Sequence, residues 1–203
     1  ITASHNAKQY NGYKVYGEDG AQMAPEHADR LFNYAQKVTD IFCVKAAPVK
    51  ELRANGTLQL IGEDVDEDYL NELKQVTVDK DMVKANADKL KIIYTPLHGT
   101  GKMLYDRAFR QGGFDNVIPV PSQSIIDPEF PTTIKPNPEY RDVFEPGFKL
   151  ADKVNANVII ATDPDADRMG AAVRKADGDF QVLTGNQIAT LMAYYLLAHL
   201  KEN

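Results

Sequence analysis

Three aspartates at alternate positions, Asp163, Asp165 and Asp167, lie within Thr162-Asp163-Pro164-Asp165-Ala166-Asp167-Arg168. In an extended chain residues at i, i+2 and i+4 point the same way. Their carboxylates therefore repel one another strongly wherever water is excluded. A fold that keeps them together needs a cation there, or protonation. Hard oxygen donors favour Mg²⁺, Mn²⁺ or Ca²⁺ over zinc. A solvated acidic loop is the competing reading. An EF-hand is excluded: counted from Asp163, the sixth residue is Arg168, not glycine, and the twelfth is Arg174, not glutamate.

A second group opens the chain, in Ile1-Thr2-Ala3-Ser4-His5-Asn6-Ala7-Lys8 and on to Lys14. It offers a hydroxyl, an imidazole, an amide and two lysines. Ser4-His5 is not a triad signature, because adjacent side chains diverge and no third partner is evident. Chemistry alone leaves a nucleophilic Ser4 and an ordinary turn serine equally open. Gly99-Thr100-Gly101 could let backbone N–H groups approach an anion, although no P-loop consensus is present. Cys43 reads as a small buried apolar residue. As the single cysteine it can form no internal disulfide, which fits a reducing cytoplasm.

The elements that must position these groups follow from periodicity. Small polar residues make 2–6 a loop, and Asn11-Gly12 is a turn signal before the strand formers Tyr13, Val15 and Tyr16. Pro25 opens a helix whose stripe of Ala28, Leu31, Phe32, Ala35 and Val38 reads as core. A short strand over 57–61, an acidic helix start over 63–68 and polar helices form a connector. From Leu90 strands and helices alternate: a strand over 91–95, a helix over 103–111, a strand over 117–121, a proline-rich irregular stretch over 122–140, a helix over 148–154 and a strand over 158–161. That β-α-β-α-β order implies a parallel core with right-handed crossovers, in an α/β doubly wound mixed sheet. Both the 96–101 and 163–168 loops then lie at the carboxyl edge, where ligands gather. Asp177-Gly178 marks a hairpin, and Thr184 with Gln187 caps a last helix whose stripe runs from Ile188 to His199.

The 203 residues suffice for one large or two small domains. A net charge of −6 disfavours nucleic acid, and no apolar run approaches membrane-spanning length. Ile1 is not an initiator methionine, and the last helix has nothing after it to cover its apolar face. A piece of a longer protein is expected.

Together these pieces resemble the α-D-phosphohexomutases, the phosphoglucomutase/phosphomannomutase family. Thr2-Ala3-Ser4-His5-Asn6 is similar to the family's phosphoserine loop, and Asp163-Pro164-Asp165-Ala166-Asp167-Arg168 to its metal-binding loop. Pro96-Leu97-His98-Gly99-Thr100-Gly101, Pro136-Asn137-Pro138-Glu139 and Leu183-Thr184-Gly185-Asn186-Gln187 also match family patterns. Ala7 departs from them, standing where the family usually has proline. The resemblance implies a phosphoryl group on Ser4, and Mg²⁺ held by that phosphate with Asp163, Asp165 and Asp167. It implies His5 and Arg168 as phosphate or substrate contacts, and Lys14 as general acid/base at the sugar hydroxyl. A free lysine has a pKa of about 10.4, so Lys14 would need a lowered one to act as base.

The implied reaction interconverts hexose 1-phosphate and hexose 6-phosphate, glucose favoured, through a 1,6-bisphosphate. Mannose or pentose phosphates are the alternative substrates; a non-catalytic metal- or anion-binding module and a metal-dependent phosphatase are the alternative functions. The implied organisation is residues 1–47 as the end of domain I, 48–90 as connector, 91–183 (with 57–90 packing on it) as domain II, and 184–203 as the first helix of domain III, with domain IV absent. Partners would be a sugar phosphate and the remaining domains of the same chain.

Overall fold

The structure, a computed structural model, describes residues 1–200. It divides into two compact units. The first comprises Ile1–Thr2 and Gly12–Val65; the second comprises Ala3–Asn11 and the chain from Asp66 onward.

In the first unit the helix after Pro25 forms as expected, α1 (Pro25–Ala35), and is followed by α2 (Val49–Ala54). Strand structure is limited to a single bridge, Tyr16 to Gln22. Three expectations fail here for one reason: the unit has no sheet to receive an apolar face. The α1 stripe is not core, since Leu31, Phe32 and Val38 are exposed. Residues 57–61 form no strand, and Leu58, Leu60 and Ile61 face solvent. Cys43 is exposed as well, its thiol donating to Asp40 Oδ2 at 3.1 Å. That bond holds the proton on sulfur and pushes the thiol pKa up.

The acidic run is the start of a helix, α3 (Glu63–Leu73), as its charge at the positive dipole end favours. α4 (Lys80–Asn86) follows, N-capped by Asp79. The second unit is then built on one five-stranded sheet. β1 (Ile92–Thr95), β2 (Val117–Pro119) and β3 (Val158–Thr162) are parallel, while β4 (Met169–Arg174) and β5 (Phe180–Val182) complete it antiparallel. The order is β2-β1-β3-β4-β5. The mixed sheet with its parallel core is therefore as read from the sequence. α5 (Tyr105–Gln111) connects β1 to β2, and α6 (Glu145–Val154) connects β2 to β3 while packing on β1 and β3. The final helix, α7 (Gly185–Leu200), begins at the expected reciprocal cap. Thr184 N–H donates to Gln187 Oε1 at 2.9 Å, and Gln187 N–H to Thr184 Oγ1 at 3.2 Å. Of its stripe Ile188 is buried, whereas Leu191, Met192 and Leu196 are exposed.

The core joins Ile93, Leu97, Val143, Phe144, Phe148, Ile159 and Phe180. Phe148 stacks between Phe144 and Phe180, at centroid distances of 6.0 and 5.2 Å. Each such side chain contributes about 1.5–3 kcal/mol on burial. β1 is buried at all four residues, as suits a central parallel strand. β3 alternates instead, and Ile159 and Ala161 fill the core.

Gly170 marks where the proline-rich stretch crosses the sheet: a Cβ there would run into the carbonyl of Pro138. Gly170→Ala is expected to cost about 1–3 kcal/mol through overpacking, read from urea unfolding. Unchanged stability would show that this crossing is loose.

Candidate active site

The site sits at the carboxyl ends of β1 and β3. The chain leaves β1 toward β2 on one side and returns to β3 on the other, so the winding reverses between these two strands. That crevice is where open α/β sheets bind ligands.

The aspartate loop is the six-residue connection of an antiparallel hairpin, β3 to β4, rather than a strand-to-helix loop. Thr162 pairs with Met169, and Asp163 N–H donates to Arg168 O at 3.2 Å. Ala166 N–H donates to Asp163 O at 3.0 Å, closing a turn with Pro164 at its first central position, where its fixed φ is suited. Ala166 itself is left-handed, φ +60°, a conformation that costs a residue with a Cβ. This kink folds the loop so that Asp163, Asp165 and Asp167 each bring one carboxylate oxygen within 4.8 Å of the others. Asp163 is fully buried, Asp165 half-buried and Asp167 exposed.

Asp163 is the centre. Its Oδ1 accepts the Arg168 backbone N–H at 3.1 Å, and its Oδ2 accepts the Ser4 hydroxyl at 2.8 Å. Burial, then the hydrogen bond with Asp165, pushes its pKa up to about 6, although the Ser4 and Arg168 bonds oppose the shift.

Ser4 arrives on a turn of its own, closed by Asn6 N–H donating to Ala3 O at 3.1 Å. Its φ is +53°, so the hydroxyl is carried on a backbone conformation that side chains disfavour. His5 Nδ1 is 3.2 Å from Ser4 Oγ. Ala7 is buried, and Lys8 reaches Glu129 at 2.5 Å. The structure thus gathers Ser4, His5, Asp163, Asp165 and Asp167 in one unit, with Arg168 entering through its backbone while its side chain is exposed. Lys14 is a half-buried residue of the first unit.

The glycines at 99 and 101 have a different use from the one their spacing suggested. A Cβ on Gly99 would land on the backbone of Pro164, and one on Gly101 would meet Tyr94 Oη and Thr162 Oγ1. Thr100 donates twice to Pro164 O, from N–H at 2.8 Å and Oγ1 at 3.0 Å. Gly99 N–H is taken by Pro96 O at 2.8 Å. Thr100 thus braces the aspartate loop, while the Gly99 amide is engaged within its own turn. Thr100 and the Tyr94–Thr162 bond (2.9 Å) are the supports that sequence reasoning missed; only the glycines hinted at a close approach.

The donor set fits a hard divalent cation. Ligand oxygens about 2.0–2.6 Å from such an ion lie at most about 4–5 Å apart, so the observed spacing needs little contraction.

Residues 67–178 match the family description phosphoglucomutase/phosphomannomutase, alpha/beta/alpha domain II, and residues 1–41 match alpha/beta/alpha domain I of that family. A phosphoglucomutase from Staphylococcus saprophyticus is 36% identical over 203 residues, covering 100% of this chain and 36% of its own length. A mouse phosphopentomutase is 37% identical over 205 residues, covering 100% of this chain and 32% of its own. This chain therefore spans about a third of the curated relatives it matches. A crystal structure of a phosphoglucomutase/phosphomannomutase family protein from Burkholderia thailandensis superposes with a TM-score of 0.62 at 19% identity, covering 98% of this chain and 37% of that one, and shares the fold.

Because the pKa of Asp163 is raised, its folded state holds the proton more tightly than the unfolded chain does. The stability this provides is complete below about pH 4 and is lost as pH rises through about 6. In metal-free buffer, wild-type stability should fall by about 1–3 kcal/mol from pH 4 to 7 relative to Asp163→Asn. Urea unfolding at the two pH values measures this, and parallel profiles would contradict it.

Taken with these matches, the serine turn and the triple-aspartate hairpin at one sheet edge identify the chain as a member of the phosphoglucomutase/phosphomannomutase family.

Proposed function

We propose that this chain carries the phosphoserine and metal-binding parts of a phosphosugar mutase that interconverts hexose 1-phosphate and hexose 6-phosphate, with glucose as the favoured sugar. The observation that carries the reading is the 2.8 Å bond from Ser4 Oγ to Asp163 Oδ2, which puts a potential phosphoryl carrier on the carboxylate cluster. A phosphate on Ser4 would bring about −1.5 to −2 charges to a site that already holds three carboxylates. A cation would balance such a set, and Asp163, Asp165, Asp167 and the Ser4 phosphate would hold it. Bound Mg²⁺ would supply Lewis-acid polarisation of the phosphoryl oxygens and neutralise the charge that collects there.

In this reading Ser4 Oγ is both leaving group and acceptor. The bond from phosphorus to Oγ breaks as the sugar hydroxyl oxygen bonds to phosphorus, and Lys14 takes the hydroxyl proton. The 1,6-bisphosphate turns round, and its other phosphate returns to Ser4. His5, beside Oγ, and the exposed Arg168 guanidinium bind phosphate; the planar fork of arginine suits that. The same reading divides the chain as its resemblance implied: domain I to residue 47, connector to 90, domain II to 183, then the first helix of domain III. Glucose 1,6-bisphosphate serves as activator, and the remaining domains of the same chain complete the sugar site. A cytoplasmic setting suits the lone cysteine. Among the described residues no helix is long and apolar enough to cross a membrane.

Pentose phosphates are the second substrate class, favoured by the phosphopentomutase relative. Incubation of the full-length protein with glucose 1,6-bisphosphate and Mg²⁺ should leave one phosphate on it by intact mass, absent in Ser4→Ala. No Ser4-dependent adduct would defeat the mutase reading in favour of a metal-binding module. This chain alone should turn over glucose 1-phosphate barely, if at all, because the sugar-binding domains lie beyond the third it spans; robust turnover would contradict that division of labour.

A further inference from the structure

Behind the carboxylate cluster lies a buried polar group that the proposed chemistry does not use. His98 is 2% exposed and Gln123 fully buried. His98 Nδ1 lies 2.9 Å from Ile125 O, and its Nε2 lies 2.8 Å from Thr132 Oγ1. A carbonyl can only accept, so the ring hydrogen belongs on Nδ1, and Nε2 accepts from the threonine hydroxyl. Gln123 Nε2 donates to Thr132 Oγ1 at 3.2 Å and to Val143 O at 2.9 Å. The His98 backbone is tied to the same loop: its N–H donates to Gln123 O at 2.9 Å, and its carbonyl accepts from Asp127 N–H at 3.4 Å. With both ring nitrogens engaged and almost no exposure, His98 is not placed to exchange protons with a substrate.

Its neighbours show what it can do. Leu97 and His98 are consecutive left-handed residues, φ +44° and +66°, and neither is glycine. Such a turn persists only when its surroundings over-determine it, and the four tethers of His98 do so. The next two residues are Gly99, packed on the Pro164 backbone, and Thr100, which donates twice to the Pro164 carbonyl. Pro164 stands between Asp163 and Asp165.

We propose that His98 is a positioning residue for the cation site: by pinning the 96–101 turn to the 121–132 loop, it holds Gly99 and Thr100 against Pro164 and so keeps the carboxylates of Asp163 and Asp165 at ligating distance. This rests on reading the three aspartates as metal ligands.

Mn²⁺ alone, titrated into this chain and followed by electron paramagnetic resonance, is the probe. His98→Leu should bind about ten- to a hundredfold more weakly than wild type, the usual cost of losing support behind a metal ligand. His98→Asn, whose amide can still donate to Ile125 O, should recover part of the loss. Phe180→Leu, a core change away from the site, should lower Tm yet bind Mn²⁺ as wild type does. Thr100→Val, which removes one donor to Pro164 and no core contact, should weaken binding about tenfold and carries the test should His98→Leu fail to fold. Wild-type affinity in His98→Leu, or in Thr100→Val when that variant stands in, overturns the positioning role provided Asp163→Asn has lost binding. Equal weakening in Phe180→Leu overturns it too, by reducing the effect to general stability. Wild type that does not bind Mn²⁺, or binds it no better than Asp163→Asn, overturns the metal-site reading itself and this inference with it.

Discussion

Negative charge held out of water is the constraint on which the site depends. Asp163 is fully buried, and Asp165 and Asp167 bring oxygens within 4.8 Å of it and of each other. Like charges so placed destabilise the fold unless a proton or a cation offsets them. Burial first, and then the hydrogen bond with Asp165, raises the pKa of Asp163 to about 6, so a proton can do so in mildly acidic solution. A hard divalent ion would do the same at neutral pH without a proton. Stability and the proposed chemistry thus both turn on Asp163.

The surrounding backbone is shaped to keep them there. β3 ends at Thr162, and the hairpin to β4 kinks through left-handed Ala166. The 96–101 turn at the neighbouring strand end braces Pro164 through two donors from Thr100 and through the missing side chain of Gly99. Ser4 completes the arrangement from a left-handed position. Four of the six left-handed non-glycine residues among the described residues, at 4, 97, 98 and 166, lie in the three loops that meet at the site, while Phe130 and Asn155 lie elsewhere; each costs of order 1–3 kcal/mol. A rigid sheet edge below and buried hydrogen bonds behind can sustain that cost; an isolated loop could not.

Much of this was legible in the sequence because it is local. Apolar runs, the Asp177-Gly178 turn and the Thr184/Gln187 cap each have a short-range cause, and the mixed sheet follows from their order. The serine turn and the aspartate hairpin were legible as chemistry and, through their resemblance to one family, as partners. What failed depends on packing over distance. The Leu58–Ile61 stretch and the α1 stripe are apolar, yet the unit around them offers no sheet to bury them. Cys43 is exposed although cysteine is usually buried. Gly99 and Gly101 signal close approach, but whether to an anion or to Pro164 and Tyr94 is decided by a segment more than 60 residues away. No sequence pattern marks the link from His98 to Thr132.

In the proposed function the aspartate hairpin is half of a cation site whose other half is a phosphate on Ser4. The most direct measurement is the phosphorus hyperfine coupling to Mn²⁺ bound to the Ser4-phosphorylated protein. A strong coupling, absent from Ser4→Ala, together with tighter Mn²⁺ binding after phosphorylation, is the predicted result. Bound Mn²⁺ with no phosphorus coupling and unchanged affinity would contradict the account, leaving the aspartates a metal site to which the serine contributes nothing.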